Sequence, residues 1–131
     1  MSGIEIAFPP LVVIRAGVAA VWLYEGLWCK LLGRVPLQRT VVTSVPRLGP
    51  RFGAPFLQVL GIVEVALAVW VITGMAPALC AIAQTTLLVL LNANGLLWAR
   101  KVIPEPGGMI VKNIAFLLLV WVCGALPTLR P

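Results

Sequence analysis

Residues 11–32 read LVVIRAGVAAVWLYEGLWCKLL, and this stretch decides the fold. It is apolar over the roughly 20 residues that a helix needs to cross a bilayer, yet its second half carries Glu25. A carboxylate in hydrocarbon costs a few kcal/mol or more, so it needs a partner or a polar cavity. Glu64 lies in another apolar run. The pattern predicts membrane helices that bring polar side chains together.

The composition agrees with a membrane protein. Of the 131 residues, 61% are hydrophobic and 11% are charged, whereas about a quarter of a soluble domain is charged. The net charge is +6, but the basic residues lie at the ends of apolar runs, which favours anionic lipid head groups over nucleic acid as the partner. The chain contains no histidine, which removes the commonest ligand of haem and transition metals.

Four apolar runs predict a single four-span domain over residues 1–131. The join between the second and third runs is only a few residues long, so these helices are expected to be antiparallel neighbours. We predict an all-α, up-down-up-down membrane bundle with a long basic loop between helices 1 and 2. The predicted spans are 11–32, 54–74, 77–99 and 108–126.

The long connection between the first two spans, residues 33–53, has two interpretations. Leu37, Val41 and Val45 fall on one helical face, which suits a short amphipathic helix at the membrane surface. The three prolines of the segment suit an extended, solvated loop equally well. The sequence leaves the two open.

Loop charges predict the orientation. With four spans, the long connection and the loop near residue 100 lie on one side, and the rule that basic loops stay in the cytoplasm places both termini outside. The same loop cations are expected to contact anionic lipid head groups. These six residues are Arg34, Arg39, Arg47, Arg51, Arg100 and Lys101.

Polar residues of all four spans fall at similar depth. At ~1.5 Å per residue, Glu25 lies ~10 Å and Glu64 ~15 Å from the basic end of their helices. The hypothesis is a polar pocket open toward the cytoplasm, in which Lys112 or Lys30 neutralises the charge of a carboxylate. Interhelical packing and snorkelling toward the surface are the alternatives. The predicted pocket residues are Glu25, Glu64, Asn92, Lys112 and Asn113.

The cysteines suggest little chemistry. Cys80 and Cys123 both lie about one turn from the outer surface, so a disulfide between them is conceivable. Buried free cysteines are ordinary in apolar helices, and that alternative stays open. The chain shows no metal-ligand set, no activated nucleophile apart from cysteine and no phosphate-binding loop, so catalytic activity of its own is not expected.

Three stretches resemble the DoxX-like family of small membrane proteins. Residues 22–32 are similar to the first span of that family, residues 61–67 (GIVEVAL) fit the second, and the Pro-Gly approach to Lys112 and Asn113 fits the fourth. The resemblance covers essentially the whole chain in length and in its four-span layout. Within it, Glu25, Lys30, Glu64 and Asn113 match motif positions.

The resemblance implies a bacterial or archaeal plasma membrane and a link to quinone chemistry. We therefore expect first that the protein is an accessory or anchoring subunit of a larger, redox- or quinone-linked membrane complex, with no intrinsic cofactor. A second interpretation is a protein that binds quinone or another amphiphile beside Glu25 and Glu64. A third interpretation does not come from the resemblance: minimal four-helix transporters also have a membrane-embedded Glu in the first span, so a small proton-coupled transporter is an alternative, which the long basic connection disfavours.

Overall fold

A computed structural model describes the backbone of residues 10–129 and the side chains of residues 10–48 and 51–125. All regular structure in this part of the chain is helical, as predicted. The prediction that both termini lie outside the cell concerns residues that fall partly outside the described range. The elements are α1 (Leu11–Leu23), its direct continuation π1 (Tyr24–Leu31), α2 (Pro36–Thr43), α3 (Gly49–Thr73), α4 (Pro77–Trp98) and α5 (Pro106–Leu129).

Prolines mark where most of these helices begin. Pro36, Pro77 and Pro106 are the first residues of α2, α4 and α5, and Pro10 is the N-cap of α1. Proline suits the first helical position because its φ is already helical and its missing N–H would have no partner there. Residues 33–53 therefore contain a short helix, α2, which was one of the two alternatives for this connection.

Four stretches are long and apolar enough to cross a bilayer. Each agrees with its predicted span to within three residues at either end. The largest difference is at the second span, where α3 begins at Gly49 and its apolar part at Arg51, ahead of residue 54. The chain is a multi-pass membrane protein, with candidate spans Leu11–Leu31, Arg51–Thr73, Pro77–Trp98 and Pro106–Ala125.

A tight hairpin joins α3 to α4. Gly74 ends α3 with a φ of 69°, a left-handed conformation that glycine adopts without steric cost. Ala76 follows with a φ of 43° and leads into Pro77. We call this end of the spans the hairpin end, and the opposite end, with α2 and the α4–α5 loop, the basic end.

The helices pack in two pairs, α3 along α1 and π1, and α5 along α4. The pairs meet where α1 contacts α5 and where α3 contacts α4, and α2 lies against π1 and α3. The apolar core lies toward the hairpin end, so the basic end is left for polar residues. The core consists of Val18, Ala19, Trp22, Leu67, Ala68, Val71, Cys80, Ala81, Leu88, Val120 and Cys123.

Two glycines allow the first and second spans to touch backbone to backbone. A Cβ added at Gly26 would lie 2.7 Å from the carbonyl oxygen of Gly61 and 2.9 Å from Cβ of Glu64. One added at Gly61 would lie 2.9 Å from the carbonyl oxygen of Gly26. Small residues promote such close crossings in membranes, where packing drives helix association. The contact sets the distance between π1 and α3 beside Glu64.

Gly26→Ala is therefore expected to lower the free energy of unfolding by about 1–3 kcal/mol, the usual cost of overpacking, because the methyl group meets backbone that cannot rotate away. Denaturation by SDS in bicelles would measure it.

Gly17→Ala in α1 is the matched control, since a Cβ there has nothing within 4 Å. It should leave stability unchanged or raise it by up to about 1 kcal/mol through helix propensity. Equal effects of the two substitutions would contradict the close crossing.

Candidate functional site

The first span changes its helical register where the charged residues lie. Over Tyr24–Leu31 the helix widens to the π form, in which hydrogen bonds join residues five apart and which occurs often at functional sites. In an α-helix, side chains five apart point ~140° away from each other. In π1 the ammonium of Lys30 comes within 3.7 Å of Oε2 of Glu25. The wider turn therefore places both charges on one face.

Lys30 also forms an ion pair with the second span. Its Nζ lies 2.9 Å from Oε2 of Glu64, and the two side chains are 6% and 1% exposed. No hydrogen bond of good geometry reaches that oxygen from the described residues, so charge holds the pair together. Lys30 is thus the counterion of the buried carboxylate.

Glu25 is the more open carboxylate. Its side chain is 37% exposed, and its Oε2 accepts a hydrogen bond of 3.2 Å from Nε2 of Gln38 on α2. Both of its described contacts, to Lys30 and to Gln38, use Oε2. The other oxygen, Oε1, has no hydrogen bond from the described side chains.

The third and fourth spans contribute a pair of asparagines. Nδ2 of Asn113 donates to Oδ1 of Asn92 over 2.7 Å, and Nδ2 of Asn92 donates to the carbonyl oxygen of Leu88. Lys112, predicted to share this site, is exposed on the outside of α5. Neighbouring helical residues point ~100° apart, so an inward Asn113 turns Lys112 outward.

The polar residues surround one cavity of about 290 Å³ at the basic end of the bundle. Four of the five predicted pocket residues line it, and Lys112 is not among its lining residues. All four spans and α2 contribute to the wall. The polar lining residues are Glu25, Lys30, Gln38, Glu64, Asn92 and Asn113, and the apolar ones include Trp22, Leu37, Val41, Leu60, Leu91, Met109 and Phe116.

Trp22 closes the cavity toward the core. Its Nε1 donates to Oε1 of Gln84 over 2.8 Å, and both side chains are 2% exposed. Nε2 of Gln84 in turn donates to the carbonyl oxygen of Cys80. The Trp22 ring meets Phe116 edge to face, with 5.6 Å between centroids. The cavity therefore has a fixed aromatic wall.

The loop cations, the cysteines and Asn94 lie apart from the cavity. The six loop cations, from Arg34 to Lys101, are all exposed. Cys80 and Cys123 are buried and free, as is Cys29. Asn94 is exposed on α4, and its Nδ2 donates to the carbonyl oxygen of Leu90 in its own helix.

Chemically, the cavity offers one charged acceptor, a buried ion pair, amide groups and an aromatic wall. Within residues 10–129, no group of three or more metal-ligating side chains comes together. The arrangement can bind the polar head of a small molecule whose apolar part contacts the aliphatic and aromatic lining.

Sequence reasoning missed two contributors to the cavity. Gln38 was not among the predicted pocket residues, but the docking of α2 turns it toward Glu25. The bond between Trp22 and Gln84 joins residues 62 apart in sequence, and no local pattern indicates it. The spacing of five between Glu25 and Lys30 was the available signal for π1, because opposite charges in hydrocarbon are expected to meet.

Comparison with known proteins identifies the family. A family model, that of the DoxX-like family, matches residues 19–121, which include every span at least in part. No curated protein and no solved structure matches the chain. The matched region contains all of the polar residues that line the cavity. By this match, the chain belongs to the DoxX-like family.

Proposed function

We propose that this protein binds the polar head of a membrane amphiphile in the cavity between its four spans and α2. The observation that carries the proposal is the half-exposed carboxylate of Glu25 inside a cavity that also holds the Lys30–Glu64 pair. Ionisable groups inside membrane proteins commonly mark a ligand or ion pathway. The cavity volume of about 290 Å³ suits a single ring or a comparable head group.

Packing alone accounts for only part of this site. The asparagine pair and the Lys30–Glu64 pair both join different helices, as packing contacts do. A buried ion pair is weak support for stability, however, because removing both charges from water costs several kcal/mol per ion. Glu25 adds a further charge that an apolar residue in the same place would avoid. A ligand-binding role explains why this charge faces open space.

Quinone is the ligand class that the family resemblance suggests. A quinone ring has flat faces that would pack on the wall formed by Trp22 and Phe116. Its polar edge would reach the amides of Asn92 and Asn113, and its apolar tail would extend toward lipid. The proposal needs no resident cofactor, since the quinone enters from the bilayer.

An accessory or anchoring role in a larger redox-linked membrane complex is the second candidate. The observation that favours it is Asn94, an amide on the outward side of α4 within a candidate span. Amides are used between helices in membranes, where they hydrogen-bond across the interface. Another membrane subunit seated on this face of α4 would satisfy the oxygen of Asn94. The two roles are compatible, because Asn94 and the cavity are separate.

The site of action is proposed to be a bacterial or archaeal plasma membrane. Six exposed loop cations at the basic end favour a cytoplasmic location for that end and an outside location for both termini. Anionic head groups of the inner leaflet would then contact these cations, and each cation would contribute about 1 kcal/mol to the free energy of membrane binding.

Two asparagine variants separate the two roles. Asn113→Leu removes an amide from the cavity wall, and it should weaken binding of a short-chain quinone about tenfold through loss of one buried hydrogen-bonding group. Asn94→Leu, on the outward side of α4, should leave this affinity unchanged. Isothermal titration calorimetry in lipid nanodiscs, with empty nanodiscs as the reference, would measure both.

Association is expected to show the reverse pattern. Native purification should recover the wild type and Asn113→Leu with the same membrane partner, and Asn94→Leu should lose that partner. If neither variant changes binding, the cavity is not the quinone site. If the wild type is recovered only as a homo-oligomer, the accessory role is wrong.

The orientation is testable with a single new cysteine. Cys29, Cys80 and Cys123 are buried, so a membrane-impermeant maleimide should react with the exposed side chain of Arg39→Cys and give little background. Labelling is expected only after the cells are opened, because the basic end is predicted to be cytoplasmic. Labelling of intact spheroplasts would contradict the predicted orientation and place the basic end outside the cell.

A further inference from the structure

The charges inside the cavity do not balance. Glu25 and Glu64 contribute two carboxylates and Lys30 contributes one ammonium, and these are the charged residues that line it. The ammonium lies 2.9 Å from Glu64 and 3.7 Å from Glu25, so it neutralises the charge of Glu64 more than that of Glu25. Glu25 is left as a partly neutralised anion whose side chain is 37% exposed.

The hydrogen bonds in the cavity leave Glu25 as the charged group with spare capacity. Each lining side chain with a polar nitrogen already donates one bond, Trp22 to Gln84, Gln38 to Glu25, Asn92 to Leu88 and Asn113 to Asn92, and the second N–H of each amide is a neutral donor. The ammonium of Lys30 is shared between the two carboxylates. On the acceptor side, Oε1 of Glu25 has no hydrogen bond from the described residues. The strongest unused group in the cavity is therefore an anionic acceptor.

From this we infer that, among such amphiphiles, the cavity binds those whose ring head donates a hydrogen bond to Glu25, such as a phenol or a quinol, more tightly than those that only accept, such as the oxidised quinone. The inference rests on the proposed function and specifies its ligand class. A hydroxyl beside Glu25 forms a charge-assisted hydrogen bond, which is about twice as strong as a neutral one. A carbonyl or ether oxygen in the same place would face the carboxylate with its own negative partial charge.

The aromatic wall limits the shape of that head. Trp22 and Phe116 meet edge to face at 5.6 Å and line the same cavity as Glu25. A flat ring can pack on this wall while a substituent at its edge reaches the carboxylate. An ammonium on a methylene group at the edge of the ring would present donors to the same oxygen and add a favourable charge, so a benzylamine shares the donor chemistry of the hydroxyl.

A matched pair of probes tests the inference. In the methyl ether of a para-alkylphenol a methyl group replaces the donated proton, and a para-alkylbenzylamine tests whether a cationic donor is preferred. We expect the phenol to bind wild-type protein in nanodiscs about tenfold more tightly than the ether, as one charge-assisted hydrogen bond would give. Tighter binding of the amine than of the phenol would identify the ammonium as the preferred donor.

Substitution of the carboxylate should reduce the preference. Glu25→Gln keeps the shape and loses the charge, so its phenol and ether affinities should differ by only about threefold, because a neutral hydrogen bond is about half as strong as a charge-assisted one. Glu105→Gln is the control, since Glu105 is an exposed carboxylate outside the cavity; it should retain the wild-type ratio.

The outcomes separate this inference from the proposed function. If the phenol and the ether bind wild-type protein equally, or if Glu25→Gln keeps the full preference, the donor rule is wrong while amphiphile binding stands. If neither probe nor the amine binds, the cavity is not an amphiphile site. The wild-type comparison needs no variant, so poor folding of Glu25→Gln would not prevent the test.

Discussion

The ion pair between Lys30 and Glu64 is the constraint on which the basic half of this bundle depends. A carboxylate that is 1% exposed at membrane depth requires a counterion, and Lys30 supplies it at 2.9 Å. Two local features make that distance possible. The Gly26–Gly61 crossing brings the backbones of π1 and α3 together, and the π turn rotates Lys30 onto the face that carries Glu25.

The same geometry creates the cavity. One ammonium lies beside two carboxylates. The second of these, Glu25, remains half-exposed and accepts a hydrogen bond from Gln38 of α2. The asparagine pair of α4 and α5 forms another part of the wall, and Trp22 separates this polar space from the apolar core. The bundle is thus divided by depth, with tight packing toward the hairpin end and a polar, open half toward the loops.

Much of the fold follows from the sequence alone, because the membrane imposes length and hydropathy on each span. The four predicted spans differ from the candidate spans by at most three residues at either end, and depth counting grouped Glu25, Glu64, Asn92 and Asn113, which line one cavity. Depth does not fix rotation about the helix axis, however. An α-helical register cannot bring Glu25 and Lys30 together, and it gave no reason to prefer Lys30 over Lys112 as the counterion. The contribution of α2 depends on tertiary docking, which turns Gln38 inward and has no local signal.

The central claim is that Lys30 and Glu64 stabilise each other across π1 and α3. A double-mutant cycle of Lys30→Met and Glu64→Leu, measured as free energies of unfolding in bicelles, tests it most directly. Lys30→Met leaves a buried carboxylate without its closest partner and should cost about 3–5 kcal/mol. The double variant replaces the pair with apolar side chains and should recover most of that loss. If the free energy of unfolding of the double variant falls by the sum of the decreases in the two single variants, the residues act independently and the central claim is wrong.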